Sequence, residues 1–357
     1  MLSQRRSSSR QFSERESGVI LNAYLNQWAA GEPLRTAIAA TIGVLAEAAT
    51  SLADMVGRGP LADEMHDLIA HHADGDAQRR LDIMAEDMIA DRLRHAPVRY
   101  LASEESESAL DMIPGAPLAV ALDPLDGSTN IDANAPLGMI FSLLPALDSA
   151  GATFKQVGRR QLAAGFFIFG PHTSLAITLG DGVMVFTLDR TTQRFTLARQ
   201  KVTMPKSSRE YAVNASNARF WSEGVRSFVE ELTAGADGPR AIDFNTRWIG
   251  ALCGEAYRIL LRGGLYLYPG GTRRGQVRGR LRLLYEANPI AMLIEQAGGG
   301  ATDGERNILD IAPDSLHVHT PLVFGSFEEV ARFQKHVSAT PIAGYMAVSV
   351  TQREVRM

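Results

Sequence analysis

Two aspartates in the motif DPLDGSTN have the type and spacing of ligands for a divalent cation. The motif ends a run of small apolar residues and places Asp123 and Asp126 three positions apart. Two carboxylates held close together repel each other unless a cation lies between them, and hard oxygen ligands suit Mg²⁺ or Mn²⁺. The N–H groups of Gly127, Ser128 and Thr129 would then face outward, as at a helix N-terminus that holds a phosphate. An Asp-rich, N-capping turn is the alternative explanation of this motif.

Further acids lie beside predicted strands and helices elsewhere in the chain. Glu104 and Glu105 end the apolar segment YLAS, and Glu286 comes just before a helix-like segment that starts at Asn288. One of the adjacent glutamates could bind metal while its neighbour points the other way and polarises water. Strand ends line the ligand crevice of open α/β sheets, so these acids are candidates for one site. A solvated acidic loop and a helix-capping acid are the alternatives.

The approach to Glu286 is rich in arginine, which indicates an anionic ligand. Guanidinium groups bind phosphate oxygens through paired hydrogen bonds, although such a stretch could also be an ordinary surface loop. Together with the acids, these side chains point to a phosphorylated substrate. The five arginines lie within ten residues and are Arg273, Arg274, Arg278, Arg280 and Arg282.

The sequence offers no covalent nucleophile of a familiar phosphatase type. Only four residues separate Cys253 from Arg258, instead of the five of a Cys-x5-Arg motif, and DPLD lacks the D-x-D spacing of aspartyl-phosphate enzymes. Gly-x-Ser-x-Gly and Walker A motifs are absent. Nothing supplies partner ligands to the histidine pairs at 71–72 and 317–319. We therefore expect hydrolysis by water that a metal activates.

Composition argues against nucleic-acid and membrane partners. The chain has 357 residues, 45% of them hydrophobic, and a formal net charge of −4. No uninterrupted apolar run approaches the about 18 residues that span a bilayer. The single cysteine, Cys253, excludes an intrachain disulfide. We expect a cytoplasmic protein with a short disordered tail over residues 1–17.

Hydrophobic periodicity predicts the elements that position these residues. Apolar residues at steps of three and four predict a long helix over Glu32–Arg58 and a second helix over about Gln78–Arg94. Short apolar runs predict strands at Val98–Ser103 and Leu118–Leu122. Three strand-rich segments follow, with a hairpin at Gly180–Gly182, so the sheet is expected to be mixed or antiparallel.

The second half of the chain has its own set of elements after the polar stretch MPKSS near residue 205. We predict helices at Trp221–Leu232 and Ala251–Leu261, and a strand in GGLYLYP. A further helix is predicted over Asn288–Ala297, with Asn288 as its N-cap and Gly298 as its C-cap. The predicted fold is α/β (α+β), with two layered halves. The predicted divisions are a tail at 1–17, an N-terminal domain at 18–205, a C-terminal domain at 206–340 and a tail at 341–357.

Several of these motifs together resemble the class I fructose-1,6-bisphosphatases. The resemblance rests on DPLDGSTNID, LASEES, GGLYLYP and GRLRLLYEANPIAMLIEQAGG, which occur in the family's order between about residues 31 and 327. Inositol monophosphatases and nucleotide bisphosphatases share DPxDGS-type motifs, whereas RLRLLYE-NP is far more specific to sugar bisphosphatases. The resemblance implies the layered sugar-phosphatase fold, with mixed sheets flanked by helices.

The resemblance also implies a role for each matching residue. It implies Mg²⁺ ligands at Glu104, Asp123, Asp126, Glu286 and the carbonyl of Leu125. It implies that Glu105 and Asp82 position and deprotonate the attacking water, and that the loop acid Asp76 joins the metal site on closure. The implied substrate-binding residues are Asp126, Gly127, Ser128 and Thr129 at the 1-phosphate, and Asn214, Arg247, Tyr268 and Arg280 at the 6-phosphate and sugar.

The implied activity is Mg²⁺-dependent hydrolysis of fructose 1,6-bisphosphate to fructose 6-phosphate, in gluconeogenesis or the Calvin cycle. Two or three metal ions per subunit are implied, with Mn²⁺ as an alternative. Arg247 is implied to reach a neighbouring subunit's site, which requires an oligomer, usually a homotetramer. The implied partner is a small sugar bisphosphate.

The sequence departs from the family pattern on the side of the 6-phosphate. Arg280 stands where lysine is usual, Trp248 where tyrosine is frequent, and Asn217 where an aromatic residue is frequent. These changes make sedoheptulose 1,7-bisphosphate an alternative or second substrate. Pro117-Leu118 replaces the Lys-Tyr pair of the family's AMP site. A non-catalytic sugar-phosphate sensor is the remaining alternative, and the intact set of acids speaks against it.

Overall fold

A computed structural model describes residues 18–61, 76–273 and 277–339. The first part of the chain is helical, with α1 at Leu21–Ala29, α2 at Pro33–Arg58 and α3 at Asp76–Leu93. Helix α2 begins where the Glu32 carboxylate accepts the N–H groups of Leu34 and Arg35, at 3.1 and 2.7 Å. A side-chain cap followed by proline at the first helical position is a strong helix start, and it lies at the predicted beginning of the helix.

Helix α2 is a core helix with the apolar character of a membrane span. Its 18-residue window has a mean hydropathy of 1.5, and 61% of that window is buried inside the protein. The helix packs against α1, α3 and the neighbouring sheet. The sequence analysis predicts this helix but considers only uninterrupted apolar runs, so it does not register the high mean hydropathy of a helix in which threonine and Glu47 interrupt the apolar residues.

An eight-stranded sheet follows, in the order β2-β1-β3-β4-β5-β6-β7-β8. In this sheet β1 and β3 pair in parallel, and every other pair of adjacent strands is antiparallel. The predicted mixed sheet is thereby confirmed. The predicted hairpin at Gly180–Gly182 joins β6 to β7. The elements are β1 Val98–Ser103, β2 Leu110–Asp111, β3 Leu118–Asp126, β4 Leu137–Pro145, helix α4 Ala150–Phe154, β5 Ala163–Phe169, β6 Thr173–Thr178, β7 Val183–Asp189 and β8 Arg194–Arg199.

A five-stranded sheet organises the rest of the chain, in the order β10-β9-β11-β15-β13. Strands β12 and β14, which alternate along the chain with β11, β13 and β15, form a separate two-stranded antiparallel sheet. The elements are β9 Glu210–Val213, α5 Glu223–Thr233, β10 Asn245–Thr246, α6 Leu252–Arg262, β11 Leu265–Tyr268, β12 Leu281–Arg282, α7 Asn288–Gln296, β13 Gly300–Thr302, β14 His319–Thr320, β15 Leu322–Gly325 and α8 Phe327–Ala339.

The elements stack in five layers. Helices α1 to α3 cover one face of the eight-stranded sheet through residues such as Leu45 and Phe141. Helices α6 and α7 fill the space between the two sheets, and helices α5 and α8 cover the outer face of the second sheet, where Phe228 meets Phe333. Each sheet therefore has helices on both faces, which explains the continuous apolar runs of its strands. This arrangement confirms the predicted α/β fold of layered, mixed sheets flanked by helices.

Three details of the sequence prediction are wrong. Strand β3 does not end at Leu122 but continues to Asp126, so both motif aspartates belong to the strand. Asn288 is not an N-cap, because the chain is already helical in a buried π-helical turn at Leu283–Ala287 that runs directly into α7. The capping signal of Asn-Pro thus occurs inside a continuous helical segment. At the other end, Gly298 is not the C-cap as predicted, because Ala297 is the C-cap and Gly298 follows it with φ +88°.

The chain passes from the first sheet to the second between Arg199 and Glu210. The predicted domain division at 205/206 falls inside this connection and stays a prediction. The predicted tails at 1–17 and 341–357 lie outside the described residues.

Candidate active site

Three carboxylates from distant parts of the chain meet at one point. Glu104, Asp123 and Glu286 each offer an oxygen, and these oxygens lie within 4.8 Å of one another. Glu104 directly follows β1, Asp123 lies in the adjacent strand β3, and Glu286 comes from the π-helical turn before α7. The parallel pairing of β1 with β3 brings the first two together, because the N–H of Glu104 donates to the carbonyl of Leu122 at 3.0 Å.

The electrostatics of these carboxylates fit a divalent cation. Burial, followed by repulsion from Glu104 and other nearby carboxylates, raises the pKa of Asp123 and of Glu286 well above its usual range. Burial also raises the pKa of Glu104, although the Arg282 guanidinium opposes the shift. A cation among these groups would favour their charged forms, and three carboxylate oxygens are the donor set that Mg²⁺ or Mn²⁺ prefers.

Asp126 lies at the same strand end but has a different environment. Its two oxygens accept the N–H groups of Leu252 and Cys253, at 3.2 and 2.6 Å, in the first turn of α6. It is therefore not one of the three carboxylates whose oxygens converge within 4.8 Å. Burial raises the pKa of Asp126, and these two N–H groups oppose the increase. Leu125 lines the same cleft, and its N–H donates to Asp123 Oδ1 at 3.1 Å.

The turn after β3 presents small polar residues to the cleft. Gly127 has φ +74° and starts a single 3-10 turn at Ser128–Asn130. A Cβ on Gly127 would lie 2.8 Å from the Cβ of Ala251, so both the backbone angle and the space require glycine here. Gly127, Ser128 and Thr129 all line the cleft, as predicted for a phosphate-binding turn.

A second pair of acids lies beside this turn. Asp82, on α3, accepts a hydrogen bond from Ser128 Oγ at 3.2 Å. Burial and then the charge of Glu105 raise the pKa of Asp82 to about 7, and the Ser128 hydroxyl opposes the shift. Glu105 and Asp82 line the same cleft as the three converging carboxylates. Asp76 is the first residue of α3, and its side chain lies outside what the structure describes.

The other end of the cleft is aromatic and basic. The cleft has a volume of about 490 Å³ and is also lined by Asn214, Tyr268 and Arg280. Trp248 lies parallel to Tyr266, with ring centroids 5.9 Å apart and an interplanar angle of 7°. The structure therefore places three of the four predicted sugar-side residues in one cleft with the acids.

Arg247, the fourth of these, is not among the residues that line this cleft. Its Nε donates to Glu210 at 2.7 Å, and its side chain is 42% exposed. The predicted contact of Arg247 with a neighbouring subunit is not tested by a single chain.

Comparison with known proteins gives the family. The family model for the fructose-1-6-bisphosphatase N-terminal domain matches residues 20–200, and the model for the C-terminal domain matches residues 204–338. Over 326 residues the chain is 50% identical to the class 1 fructose-1,6-bisphosphatase of Azorhizobium caulinodans, which covers 90% of this chain and 99% of that protein.

The chain belongs to the class 1 fructose-1,6-bisphosphatase family.

Further relatives agree with this assignment. A class 1 fructose-1,6-bisphosphatase of Rhodopseudomonas palustris strain BisB18 is 50% identical over 318 residues, covering 89% of this chain and 92% of that protein. The crystal structure of Leishmania major fructose-1,6-bisphosphatase in holo form has a TM-score of 0.81 at 30% identity, covering 90% of this chain and 99% of that chain. The predictions of family, fold and phosphatase class are thereby confirmed.

The sequence analysis assigns no individual role at the site to two residues, Arg282 and Glu255, that contact the carboxylates or line the cleft in this fructose-1,6-bisphosphatase family member. In the sequence Arg282 is one of five similar arginines, but its backbone N–H donates to Glu286 at 2.6 Å and its Nε lies 3.4 Å from Glu104. Its spacing of four residues before Glu286 is the available signal. Glu255 lines the cleft and is 1% exposed, although its sequence position resembles that of any acid in a first helical turn.

Three other residues named in the sequence analysis, Cys253, His317 and Arg278, are not among the residues that line the cleft. Cys253 is buried, and burial followed by the charge of Asp126 raises the pKa of its thiol well above the usual range. His317 Nε2 is 3.0 Å from the carbonyl of Ser106, a satisfied histidine as expected. Arg278 pairs with Asp314 at 3.3 Å on the surface. Arg274 and the histidines at 71–72 lie outside the described residues.

Proposed function

We propose that this chain hydrolyses the 1-phosphate ester of fructose 1,6-bisphosphate and releases fructose 6-phosphate and inorganic phosphate. The observation that carries the proposal is the convergence of Glu104, Asp123 and Glu286 within 4.8 Å at a cleft of about 490 Å³. Family membership supports the substrate, since the relatives at 50% identity are named fructose-1,6-bisphosphatases.

Glu104, Asp123 and Glu286 would hold Mg²⁺, or Mn²⁺ in its place, with Asp126 and the carbonyl of Leu125 completing a site for two or three ions. The bound cation would supply Lewis-acid stabilisation of the phosphoryl group. Closely spaced buried carboxylates favour a bound cation, because without one their negative charges raise the free energy of the folded protein.

Glu105 would accept the proton of the attacking water, with Asp82 beside it. Both acids line the same cleft, and the charge of Glu105 contributes to the raised pKa of Asp82. A pKa of about 7 lets Asp82 hold or release a proton near neutral pH, which suits a residue that shares the proton with a general base. Asp76 would join this end of the site from the start of α3.

The chain's own donors would bind the two phosphates at opposite ends of the cleft. The N–H groups of Gly127, Ser128 and Thr129 would donate to the 1-phosphate, where fixed dipoles meet its developing charge, and the acceptor Asp126 would lie beside them. Asn214, Tyr268 and Arg280 would contact the 6-phosphate and sugar. Arg247 would complete a neighbouring subunit's site in a homotetramer.

We propose two domains, at 18–205 for most of the metal site and the 1-phosphate and at 206–340 for the sugar and 6-phosphate, with Glu286 of the second domain completing the three converging carboxylates. We expect the enzyme to act in the cytoplasm on a small sugar bisphosphate, without nucleic-acid or membrane partners. Its pathway would be gluconeogenic or carbon-fixing.

One observation favours a second substrate, sedoheptulose 1,7-bisphosphate. Tyr268 and Arg280 border both the main cleft and an adjoining hollow lined by Asn217 and Arg273. The hollow has a volume of about 20 Å³, so it would have to widen beside Asn217 to accommodate a distal phosphate one carbon further away. Arg280 suits that phosphate because its guanidinium can donate two hydrogen bonds.

Phosphate release from both sugar bisphosphates, with and without Mg²⁺, tests these proposals. We expect Mg²⁺-dependent release from fructose 1,6-bisphosphate, with the ratio of kcat/KM values deciding the second substrate. A non-catalytic sensor would bind the sugar phosphates and release no phosphate under any condition.

A further inference from the structure

We infer that Glu255 is a positioning residue that holds the segment Arg247–Gly250 in place and thereby sets the position of Trp248 at the sugar end of the cleft. The inference concerns the shape of the cleft, and it rests on the proposed function only for the identity of the substrate. Neither the resemblance nor the site prediction assigns a role to Glu255.

The Glu255 carboxylate joins the segment to helix α6. One oxygen accepts the backbone N–H of Ile249 at 2.6 Å, and the other accepts Arg258 Nη2 at 2.8 Å. The side chain is 1% exposed, so its charge is buried, and Arg258 Nε adds a third contact to it at 3.3 Å. A hydrogen bond to a buried charge is stronger than an ordinary amide bond, and its loss leaves an unpaired buried donor.

Arg258 is in turn fixed by a second carboxylate, Glu210 on strand β9. Arg258 Nη1 donates to Glu210 at 2.9 Å, and Arg247 Nε donates to the other oxygen of Glu210 at 2.7 Å. The same Glu210 oxygen also lies 3.3 Å from Arg262. The chain of contacts therefore starts at Arg247, passes through Glu210, Arg258 and Glu255, and returns to the backbone next to Trp248.

The segment that this chain of contacts holds forms one wall of the cleft. Arg247 N–H donates to the carbonyl of Tyr211 at 2.9 Å, and Ile249 N–H to Glu255 is the next backbone anchor among the described residues. Between these anchors, the Trp248 ring stacks on Tyr266 and lies 6.3 Å from Tyr268. Trp248 is 39% exposed, so packing alone leaves much of the ring unsupported.

The position of the segment matters for the substrate because Trp248 and Gly250 both line the cleft with Tyr268 and Arg280. A displaced tryptophan would change the wall next to the sugar, while β1, β3 and the turn before α7 would still hold the three carboxylates. The inference thus predicts a loss of substrate affinity with little change in the metal site.

Glu255→Ala and Glu255→Gln variants test this, in a Trp28→Phe/Trp221→Phe background in which Trp248 is the only tryptophan of the three in the chain. We expect Glu255→Ala to raise KM about tenfold and to make Trp248 several times easier to quench with acrylamide. The change in kcat should stay below about threefold, and the Mg²⁺ concentration for half-activity should not move. Glu255→Gln keeps an acceptor for Ile249, so it should lie close to the wild type in Trp248 quenching.

Glu329→Ala is the matched control. Glu329 is also a buried carboxylate in the second half of the chain, paired with Arg240 at 2.6 Å on helix α8 away from the cleft. Its loss should lower stability and leave KM and Trp248 quenching unchanged. Trp248 quenching is measured without substrate, so it tests the inference even if the proposed substrate is wrong.

Equal quenching of Trp248 in folded Glu255→Ala and wild type would overturn the inference, as would the same rise in KM in Glu329→Ala. If Glu255→Ala does not fold, Glu210→Gln provides the second test, because it leaves Glu255 intact but releases Arg258. We then expect a smaller rise in KM and in quenching, and no change in either would overturn the inference.

Discussion

The carboxylate of Asp126 accepts the backbone N–H of Cys253 at 2.6 Å and so joins strand β3 to the first turn of helix α6. The two residues are 127 positions apart and belong to the two halves of the chain. Asp123, three positions earlier, accepts a local hydrogen bond instead, from the N–H of Leu125. The two aspartates of the motif therefore differ in what they do for stability.

This difference predicts opposite effects of the two amide substitutions. In the absence of divalent cations at pH 8, Asp126→Asn should lower the free energy of unfolding by about 1–3 kcal/mol, because an amide nitrogen would face a backbone N–H. Asp123→Asn keeps an acceptor for Leu125 and removes a buried charge, so the unfolding free energy should stay equal or rise. Urea unfolding in EDTA measures both. Equal destabilisation by the two variants would contradict the separate roles.

The raised pKa values predict how metal-free stability depends on pH. Burial and Glu105 raise the pKa of Asp82 to about 7 in the folded protein, against about 4 for an unfolded aspartate. The folded state therefore binds this proton more tightly, so its stabilising effect is complete below about pH 4 and is lost as the pH rises through about 7. The pKa values of Asp123 and Glu286 are shifted in the same direction.

We therefore expect the melting temperature in EDTA to fall between about pH 6 and pH 8, and the stabilisation by Mg²⁺ to grow over the same range. Asp82→Asn should flatten the EDTA profile because it removes one of the titrating groups. A melting temperature in EDTA that rises over this range would show that these carboxyls are not protonated in the metal-free protein.

The proposed pair of Glu105 and Asp82 predicts a loss of turnover with retained metal binding. Glu105→Gln should lower kcat by about 10²–10⁴-fold, the usual contribution of a general base. Asp82→Asn should have a smaller effect, because the new amide oxygen can still accept the Ser128 hydroxyl while the negative charge beside Glu105 is lost. Mg²⁺ titration by calorimetry should give a similar affinity for Glu105→Gln and wild type. Full activity in Glu105→Gln would exclude it as the base.

The close approach of Gly127 to Ala251 predicts that a larger residue at position 127 destabilises the turn after β3. Gly127→Ala should cost about 1 kcal/mol from its positive φ, and more from the contact of its Cβ with Ala251, 2.8 Å away. The second cost should disappear in Gly127→Ala/Ala251→Gly. Ala251→Gly alone should have little effect, since residue 251 is a helix N-cap without a side-chain hydrogen bond. Unfolding free energies of the three variants measure the coupling, and strict additivity would contradict the close contact.

Much of the site can be predicted from the sequence because local signals and the family motifs agree. The strand predicted at Val98–Ser103 has the same bounds in the structure, and the acids beside the strand ends do meet. The helix capped by Glu32 is predictable because capping and periodicity are short-range properties.

What cannot be predicted depends on contacts between distant residues. Asn288 has the sequence signature of a helix start, but tertiary packing buries the preceding turn in a helical conformation, and this overrides the local preference. Even the shorter-range hydrogen bond from Ile249 to Glu255, six residues apart, depends on the irregular loop before α6, where Gly250 has φ +84°. Periodicity carries no signal for such contacts.

The central claim is that Glu104, Asp123 and Glu286 form one cation site on which phosphate release depends. The most direct measurement is Mn²⁺ binding followed by electron paramagnetic resonance, with phosphate release measured in the same samples of wild type, Asp123→Asn and Glu286→Gln. We expect tight Mn²⁺ binding and metal-dependent release in the wild type, and the loss of both in each variant. Unchanged Mn²⁺ binding in the two variants, or phosphate release in EDTA, would contradict the account.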